Sequence, residues 1–335
     1  MSEPLDLEFT EPFRIARGVR THGYNVLVRL RDGEHEGLGE AAPTAYYGES
    51  RATVLAALEA YREQLGDDSG AVRSISERLA RTLGHNASAR AALDMALWDL
   101  LGQKAGLPAH RLLGIDPAGA PITSFTIGID EPLTMARNAA KAARQFKALK
   151  IKVGTDHDDE IIQAIRDVTD LPLYVDANTA WEPKEALRHI ERLAQHSVTL
   201  IEQPVAAHDL SGLRFVRERS PLPVFADESC VGPRDVARLA GVVDGINIKL
   251  MKCGGITPAL DMIATARAQG MRIMLGCMGA ESSVAITAAA QISPLVDYAD
   301  LDAALLLKAD PFEGVTLTQG KLTLPGAPGL GVRRR

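Results

Sequence analysis

The sequence predicts an α/β chain in which a small α+β domain precedes a barrel of parallel strands. Three observations carry that prediction. From about residue 120 short apolar runs alternate with amphipathic helical segments, three of those runs end in an acid at near-equal spacing, and the first third mixes element types instead.

A chain of 335 residues suits two domains. In the first, LEFTEPFRIARG and NVLVRLRDGEHEGLGE read as strands, the second turning at Asp32-Gly33, a dipeptide suited to positive φ. Helices follow. After Asn86, the expected N-cap, the segment ASARAALDMALWDLLGQKAG places Leu93, Ala96, Leu97, Leu100 and Leu101 at helical spacing, and Gly106 with Pro108 stops it. This α+β capping domain is expected to span residues 1–115.

The runs ITSFTIGI, ALKIKV, LPLYVDAN, TLIEQP, LPVFADES, GINIKL, RIMLGCM and YADLDAALLL read as eight strands separated by helices. Eight parallel strands with tight crossovers argue for a TIM-type barrel over residues 116–310. A doubly wound open sheet is the alternative. No GxGxxG follows an early strand, however, and polar residues gather at many strand ends instead of one crevice. The Gly- and Pro-rich stretch 311–335 is expected to return to the capping domain, with its last three arginines frayed.

Lys plus Arg number 37 and Asp plus Glu 43, a net charge of -6 spread in short mixed clusters, which excludes a nucleic-acid or anionic-membrane surface. The opening MSEPLDLEFTEPFR has acids where a signal peptide needs a basic flank and an apolar run, and no later stretch stays apolar long enough to span a bilayer. Cys230, Cys253 and Cys277 are widely spaced without a CxxC, so reduced thiols in a cytoplasmic protein are expected. Assembly into a homo-oligomer is left open.

Asp176 in YVDAN, Glu202 in LIEQP and Asp227 in FADES each end a strand, 26 and 25 residues apart, about one strand-helix unit each time. Any one of them alone reads equally well as the cap of its own turn. In register they converge on the barrel mouth, where three carboxylates repel unless a cation sits among them. All-oxygen ligation suits a hard divalent ion such as Mg2+. Lys150 and Lys152 share one face of LKIKV, and Lys249 ends NIKL, 22 residues after Asp227. An inward lysine is either neutralised by the acids or used as a base with a lowered pKa, and the second is expected here. The lysine strands lie on either side of the acid strands, so one base can face each side of a bound carbon. Removing a proton α to a carboxylate builds a dianionic enediolate, which a divalent cation and ammonium groups stabilise, and bases on opposite faces invert the carbon. A racemase or epimerase is expected.

The motifs PFRIARG, PTAYYGES, LKIKVG, VDAN, IEQP, ADES, NIKLMKCGG, LGCM, ADLDAALLL and PGLGV run through nearly the whole chain. Together they resemble the muconate-lactonizing subgroup of the enolase superfamily, and within it the dipeptide epimerases that act on L-Ala-D/L-Glu. The resemblance implies a modified TIM barrel, (β/α)7β in type, with Mg2+ held by Asp176, Glu202 and Asp227, acid/base catalysis by Lys152 and Lys249, and help from Lys150 at the substrate carboxylate. It further implies that Asp300 and Asp302, the strand-eight DxD, grip the free α-ammonium of a dipeptide. Thr126 and Met278 match other substrate-contacting positions, and Arg17 or Arg20 on the capping loops is expected to receive a Glu side chain. Two features depart from the pattern: Ala303-Ala304 stands where Gly-Pro often follows the DxD, and GAESS follows LGCM.

The rivals on the same scaffold are another dipeptide specificity, a cycloisomerase, an o-succinylbenzoate synthase or an acid-sugar dehydratase. A dicarboxylate without an amine would meet two extra anions at Asp300 and Asp302. The dehydratases often carry a strand-seven His, absent from RIMLGCMGAE. A Schiff-base aldolase using Lys152 or Lys249 would have no use for three neighbouring acids.

Overall fold

The computed structural model describes residues 1–335. The chain opens with an antiparallel meander of β1 (Ser2–Ile15), β2 (Gly18–Asp32) and β3 (His35–Ala41), its second turn made at Gly33, where φ is +60°. Three helices cover one face: α1 (Arg51–Tyr61), α2 (Val72–Thr82) and α3 (Ala87–Ala105). Val26, Val28, Val54, Ile75, Leu79, Leu93 and Leu97 form the core between them. Helix α3 lies directly on β3 because Gly37 and Gly39 face it. A Cβ at either would come within 2.0 or 1.8 Å of the carbonyl oxygens of Ala96 and Ala92.

The start of α3 differs from expectation. Asn86 occupies the cap position in a left-handed conformation, φ 51°, and its side chain caps nothing. The carboxylate of Glu49 takes that duty from across the domain, accepting from the amide and hydroxyl of Ser88. Sequence spacing signals a local cap well; it carries no mark of a cap supplied from 39 residues away.

After a short helix α4 (Ala109–Leu112) come the eight barrel strands. They are β4 (Phe125–Ile127), β5 (Leu149–Lys152), β6 (Leu173–Asp176), β7 (Val198–Glu202), β8 (Val224–Ala226), β9 (Gly245–Lys249), β10 (Arg272–Gly276) and β11 (Tyr298–Asp300). All pair in parallel and in sequence order, and the ring closes where Thr123 bridges Ala299 and the Ser124 amide donates to the Ala299 carbonyl at 2.9 Å. The crossovers carry α5 (Pro132–Ala142), α6 (Asp158–Arg166), α7 (Pro183–Leu193), α8 (Leu210–Arg217), α9 (Pro233–Leu239), α10 (Leu250–Cys253) with α11 (Ile256–Ala268), and α12 (Ser283–Ala290). A 3-10 turn, Ala303–Leu306, follows β11 in place of an eighth crossover helix. Each predicted run holds one strand, but the last strand stops at Asp300, so Asp302 sits in the turn beyond it.

Strand alternation sorts the side chains. Ile151, Val175, Ile201, Ala226, Ile248 and Leu275 point outward into the main core under the helices. Ala148, Tyr174, Leu200, Phe225, Met274 and Tyr298 point inward and plug the barrel floor. Two residues further along, five of those strands or their leads present Lys150, Asp176, Glu202, Asp227 and Asp300 to the same interior, one layer higher.

The segment after the barrel reaches back to α3, where the Leu330 amide donates to Asp99 Oδ1 at 2.7 Å while the Leu38 amide donates to Oδ2 of the same carboxylate at 2.8 Å. The final arginines are not frayed. Arg333 and Arg334 form β15, which pairs antiparallel with β12 (Phe312–Glu313); between them β13 (Thr316–Thr318) and β14 (Lys321–Thr323) make a hairpin. Backbone pairing orders these residues while their charged ends stay in water. No helix is long and apolar enough to cross a membrane.

Candidate active site

The upper barrel layer brings the predicted acids together. Asp176, Glu202 and Asp227 are fully buried, and one carboxylate oxygen from each lies within 4.8 Å of the others. Four lysines surround them. Lys150 Nζ is 3.1 Å from Asp176, 2.8 Å from Glu202 and 2.9 Å from Asp300. Lys152 Nζ lies 2.5 Å from Asp176 Oδ2, and Lys249 Nζ lies 2.8 Å from Asp227 Oδ2. The two outer lysines therefore hold opposite ends of the acid arc, β5 on one side and β9 on the other.

Lys252, which sequence reasoning passed over, donates to Asp227 Oδ1 at 2.6 Å and to the carbonyls of Asp227 and Asn247. It follows Lys249 on a one-turn helix, so the two-residue period that picks out the strand lysines does not reach it. Asn247 was legible by that period, two residues before Lys249, and it donates to Glu202 Oε1 at 2.8 Å. Gln203 was also missed. Its buried side chain accepts from the amides of Asp227 and Ser229 and donates to the Val205 carbonyl and the Ser229 hydroxyl, tying the turn after Glu202 to the turn after Asp227. That turn carries a left-handed Gln203, φ 37°, and its neighbour carries left-handed Asn178 and Thr179; such backbone strain gathers where side chains must be aimed.

Charge balance decides the protonation states. Burial alone would raise Asp176 and Asp227, but Lys152 and Lys150 outweigh it at the first, and Lys249 and Lys252 at the second. Both stay below the usual carboxylate range. Glu202 goes the other way, pushed up to about 7 by burial and by Asp176. Lys150 and Lys249 do not show the expected lowered pKa. Burial would lower Lys249 and Lys150, yet Asp227 at one and Asp300 with Glu202 at the other raise both above the ordinary value. Three acids gathered in one buried cage draw ammonium groups to them as counter-charge.

Whether a cation fits can be judged from the acceptors left over. Glu202 Oε2 is buried without a well-directed hydrogen bond, with the Lys150 ammonium, 2.8 Å away, as its nearest counter-charge. Glu228 Oε2 and the side-chain oxygens of Asn178 and Asn247 are orphaned around the same cage. Buried acceptors in such number are costly unless a positive centre answers them, and an all-oxygen set fits a hard divalent ion.

Asp300 and Asp302 stand side by side against β4. Asp300 is committed to Lys150 and to Ser124, whose hydroxyl donates at 2.8 Å. Asp302 accepts only from the Thr126 amide at 2.6 Å, and burial, then Asp300, push its carboxyl up to about 7. Thr126 thus orients the acid pair as well as lining the mouth. Met278, in the loop after β10, also lines the mouth, and its amide donates at 2.7 Å to Glu281, a buried acid outside the sequence-based set.

The capping domain closes the mouth with Phe13, Ile15, Arg17, Arg20, Tyr46 and Tyr47. Arg17 is occupied: its guanidinium donates to Glu228 Oε1 at 2.6 Å and to the Asn178 carbonyl at 2.8 Å. Arg20 donates to the Thr44 hydroxyl and has no acid partner, which leaves it the freer cation for an anionic side chain.

A (β/α)7β barrel carrying an acid triad between two strand-end lysines, with a separate domain over its mouth, defines the enolase-type class of protein. Residues 134–335 match the enolase C-terminal domain-like family and residues 5–114 the mandelate racemase/muconate lactonizing enzyme N-terminal domain. The chain belongs to the mandelate racemase/muconate lactonizing enzyme family of the enolase superfamily. Among its relatives, the L-Ala-D/L-Glu epimerase of Bacteroides thetaiotaomicron is 41% identical over 99% of this chain and 86% of its own length. The hydrophobic dipeptide epimerase of Roseobacter litoralis is 42% identical over 96% and 94%. The crystal structure of the Enterococcus faecalis dipeptide epimerase with Mg and L-Leu-L-Tyr superposes with a TM-score of 0.94 at 38% identity, over 99% of this chain and 98% of that one.

Proposed function

We infer that the chain is a Mg2+-dependent dipeptide epimerase, L-Ala-D/L-Glu foremost, acting by a two-base 1,1-proton transfer through an enediolate. One observation carries the reading: Lys152 and Lys249 sit at the two ends of a single acid arc, beside a buried carboxylate pair with spare accepting capacity. Relatives named as epimerases of L-Ala-D/L-Glu and of other dipeptides support the substrate class.

Asp176, Glu202 and Asp227 would hold the metal, which would supply Lewis-acid stabilisation of the charge that develops on the substrate carboxylate. Lys150 adds a fixed ammonium to that carboxylate from below. Asp302, with Asp300 behind it, receives the peptide's free ammonium and so fixes the amide nitrogen of the second residue. With carboxylate and nitrogen both held, the α-carbon lies between Lys152 and Lys249. One takes its proton, and the other delivers a proton to the opposite face. The remaining substituent points to the capping domain, where Arg20 receives a carboxylate side chain. Action in the cytoplasm on a small peptide, without a nucleic-acid partner, belongs to the same reading and is supported by three free cysteines and the net charge of -6.

The test is to incubate L-Ala-L-Glu with the enzyme and Mg2+ in deuterated water. Deuterium should enter the Glu α-position while L-Ala-D-Glu accumulates. No exchange across a broad dipeptide library would defeat the assignment.

A further inference from the structure

We propose that Arg17 and Glu228 form a clamp holding the β1–β2 turn shut over the barrel mouth, so that Arg17 serves the reaction as a positioning residue and not as a receptor for the substrate side chain. The inference rests on the epimerase reading for its kinetic arm only.

The turn at Ala16, Arg17 and Gly18 is seated on three barrel loops, which lead on from the site residues Lys152, Asp176 and Asp227. After Lys152, Gly154 takes φ +107° and leaves no space: a Cβ there would lie 2.9 Å from the Ala16 methyl and 2.7 Å from that of Ala180. After Asp176, the Asn178 carbonyl accepts from Arg17 at 2.8 Å, while the Asn178 amide donates to Asp176 Oδ1 at 2.9 Å. After Asp227, Glu228 accepts from the same Arg17 nitrogen at 2.6 Å and from the Asn178 side chain at 3.3 Å. Further down the strand, the Ile129 amide in the loop after β4 donates to the Arg14 carbonyl at 2.9 Å.

The charged contact at the tip is asymmetric. The Glu228 side chain is 1% exposed and Arg17 30%, and the guanidinium also lies 4.3 Å from the centre of the Tyr46 ring. When the turn lifts, Arg17 leaves an acid lodged among the barrel loops beside Asp227, with the Asn178 side chain as its only remaining hydrogen-bond partner. A buried acid stranded in this way favours reclosure strongly, whereas an exposed pair would contribute little. Gly18, at φ +142° with open space within 4 Å of where a Cβ would stand, gives the turn a free swivel next to its fastener.

The experiment pairs Arg17→Ala and Glu228→Gln, singly and together, and reads two quantities. Hydrogen exchange of the 15–19 amides in the unliganded protein should quicken in all three variants by a similar factor, with barrel-strand amides unchanged. For kinetics, kcat/KM should fall about tenfold or more, by the same factor for L-Ala-L-Glu and for a dipeptide with an apolar second residue, and the double variant should be no worse than either single. Arg17→Lys should recover part of both. A loss confined to L-Ala-L-Glu in Arg17→Ala, with Glu228→Gln unaffected, would make Arg17 a side-chain receptor and overturn the clamp. Unchanged exchange of the turn would overturn it equally. If the exchange data behave as stated but no dipeptide is turned over by the parent protein, the epimerase reading fails and the clamp stands.

Discussion

Asp302→Asn separates the peptide's anchor from the metal cage. The substitution keeps shape and the acceptor for the Thr126 amide, bonded at 2.6 Å, and removes only the charge. A hydrogen bond to a charged partner contributes about 1.5–3 kcal/mol, which corresponds to roughly a 10- to 150-fold loss of dipeptide affinity. The cage acids make their contacts to Lys150, Lys152, Lys249 and Lys252, none of them to Asp302, so Mg2+ affinity should stay within about threefold. Titration calorimetry with each ligand reads both. A pH series adds a second check. The Asp302 carboxyl stands at about 7, raised by burial and then by Asp300, so below that pH it is neutral and must lose a proton before it can hold an ammonium. Dipeptide affinity should therefore fall as pH drops through 7 in the parent protein and show no such fall in the variant. Equal losses of metal and peptide, or a pH dependence that survives the substitution, would refute the ammonium role.

Two further outcomes follow from the same geometry. Lys152→Met and Lys249→Met should each slow epimerisation by about 10²- to 10⁴-fold, yet each should still wash the α-hydrogen out of one epimer, and the two variants should favour opposite epimers in proton NMR. Loss of exchange from both epimers in either variant would contradict bases on opposite faces. Glu281 is pushed up to about 8 by burial, from an ordinary 4.5, so the folded state prefers its neutral form. The stability this confers is complete below about 4.5 and disappears as pH rises through 8; Glu281→Gln should hold its Tm better than the parent between pH 6 and pH 9. Parallel Tm curves would show that Glu281 does not govern the alkaline limb.

The barrel was legible because its strands are short, apolar and end in charged residues at a nearly constant interval, and because a period of two assigns every inward side chain once one is known. Lys150, Asp176, Glu202 and Asp227 follow from that rule, as does Asn247. What escaped are the contacts that depend on three-dimensional neighbours far apart in sequence. Glu49 capping α3, Gln203 bracing two turns, and Glu228 meeting Arg17 across 211 residues leave no periodic trace. The raised pKa values of Lys150 and Lys249 escaped for a related reason. Sequence shows which acids converge, but not that four ammonium groups crowd round them within hydrogen-bond distance.

The plug of Tyr174, Leu200, Phe225, Met274 and Tyr298 turns the barrel into a vessel with a single opening. Whatever enters must depart by the same door, with no rear exit to give traffic a direction. For a reaction whose two ends differ only in handedness at one carbon, that arrangement suffices: both epimers have the same size and the same handles, and either can be the one that arrives.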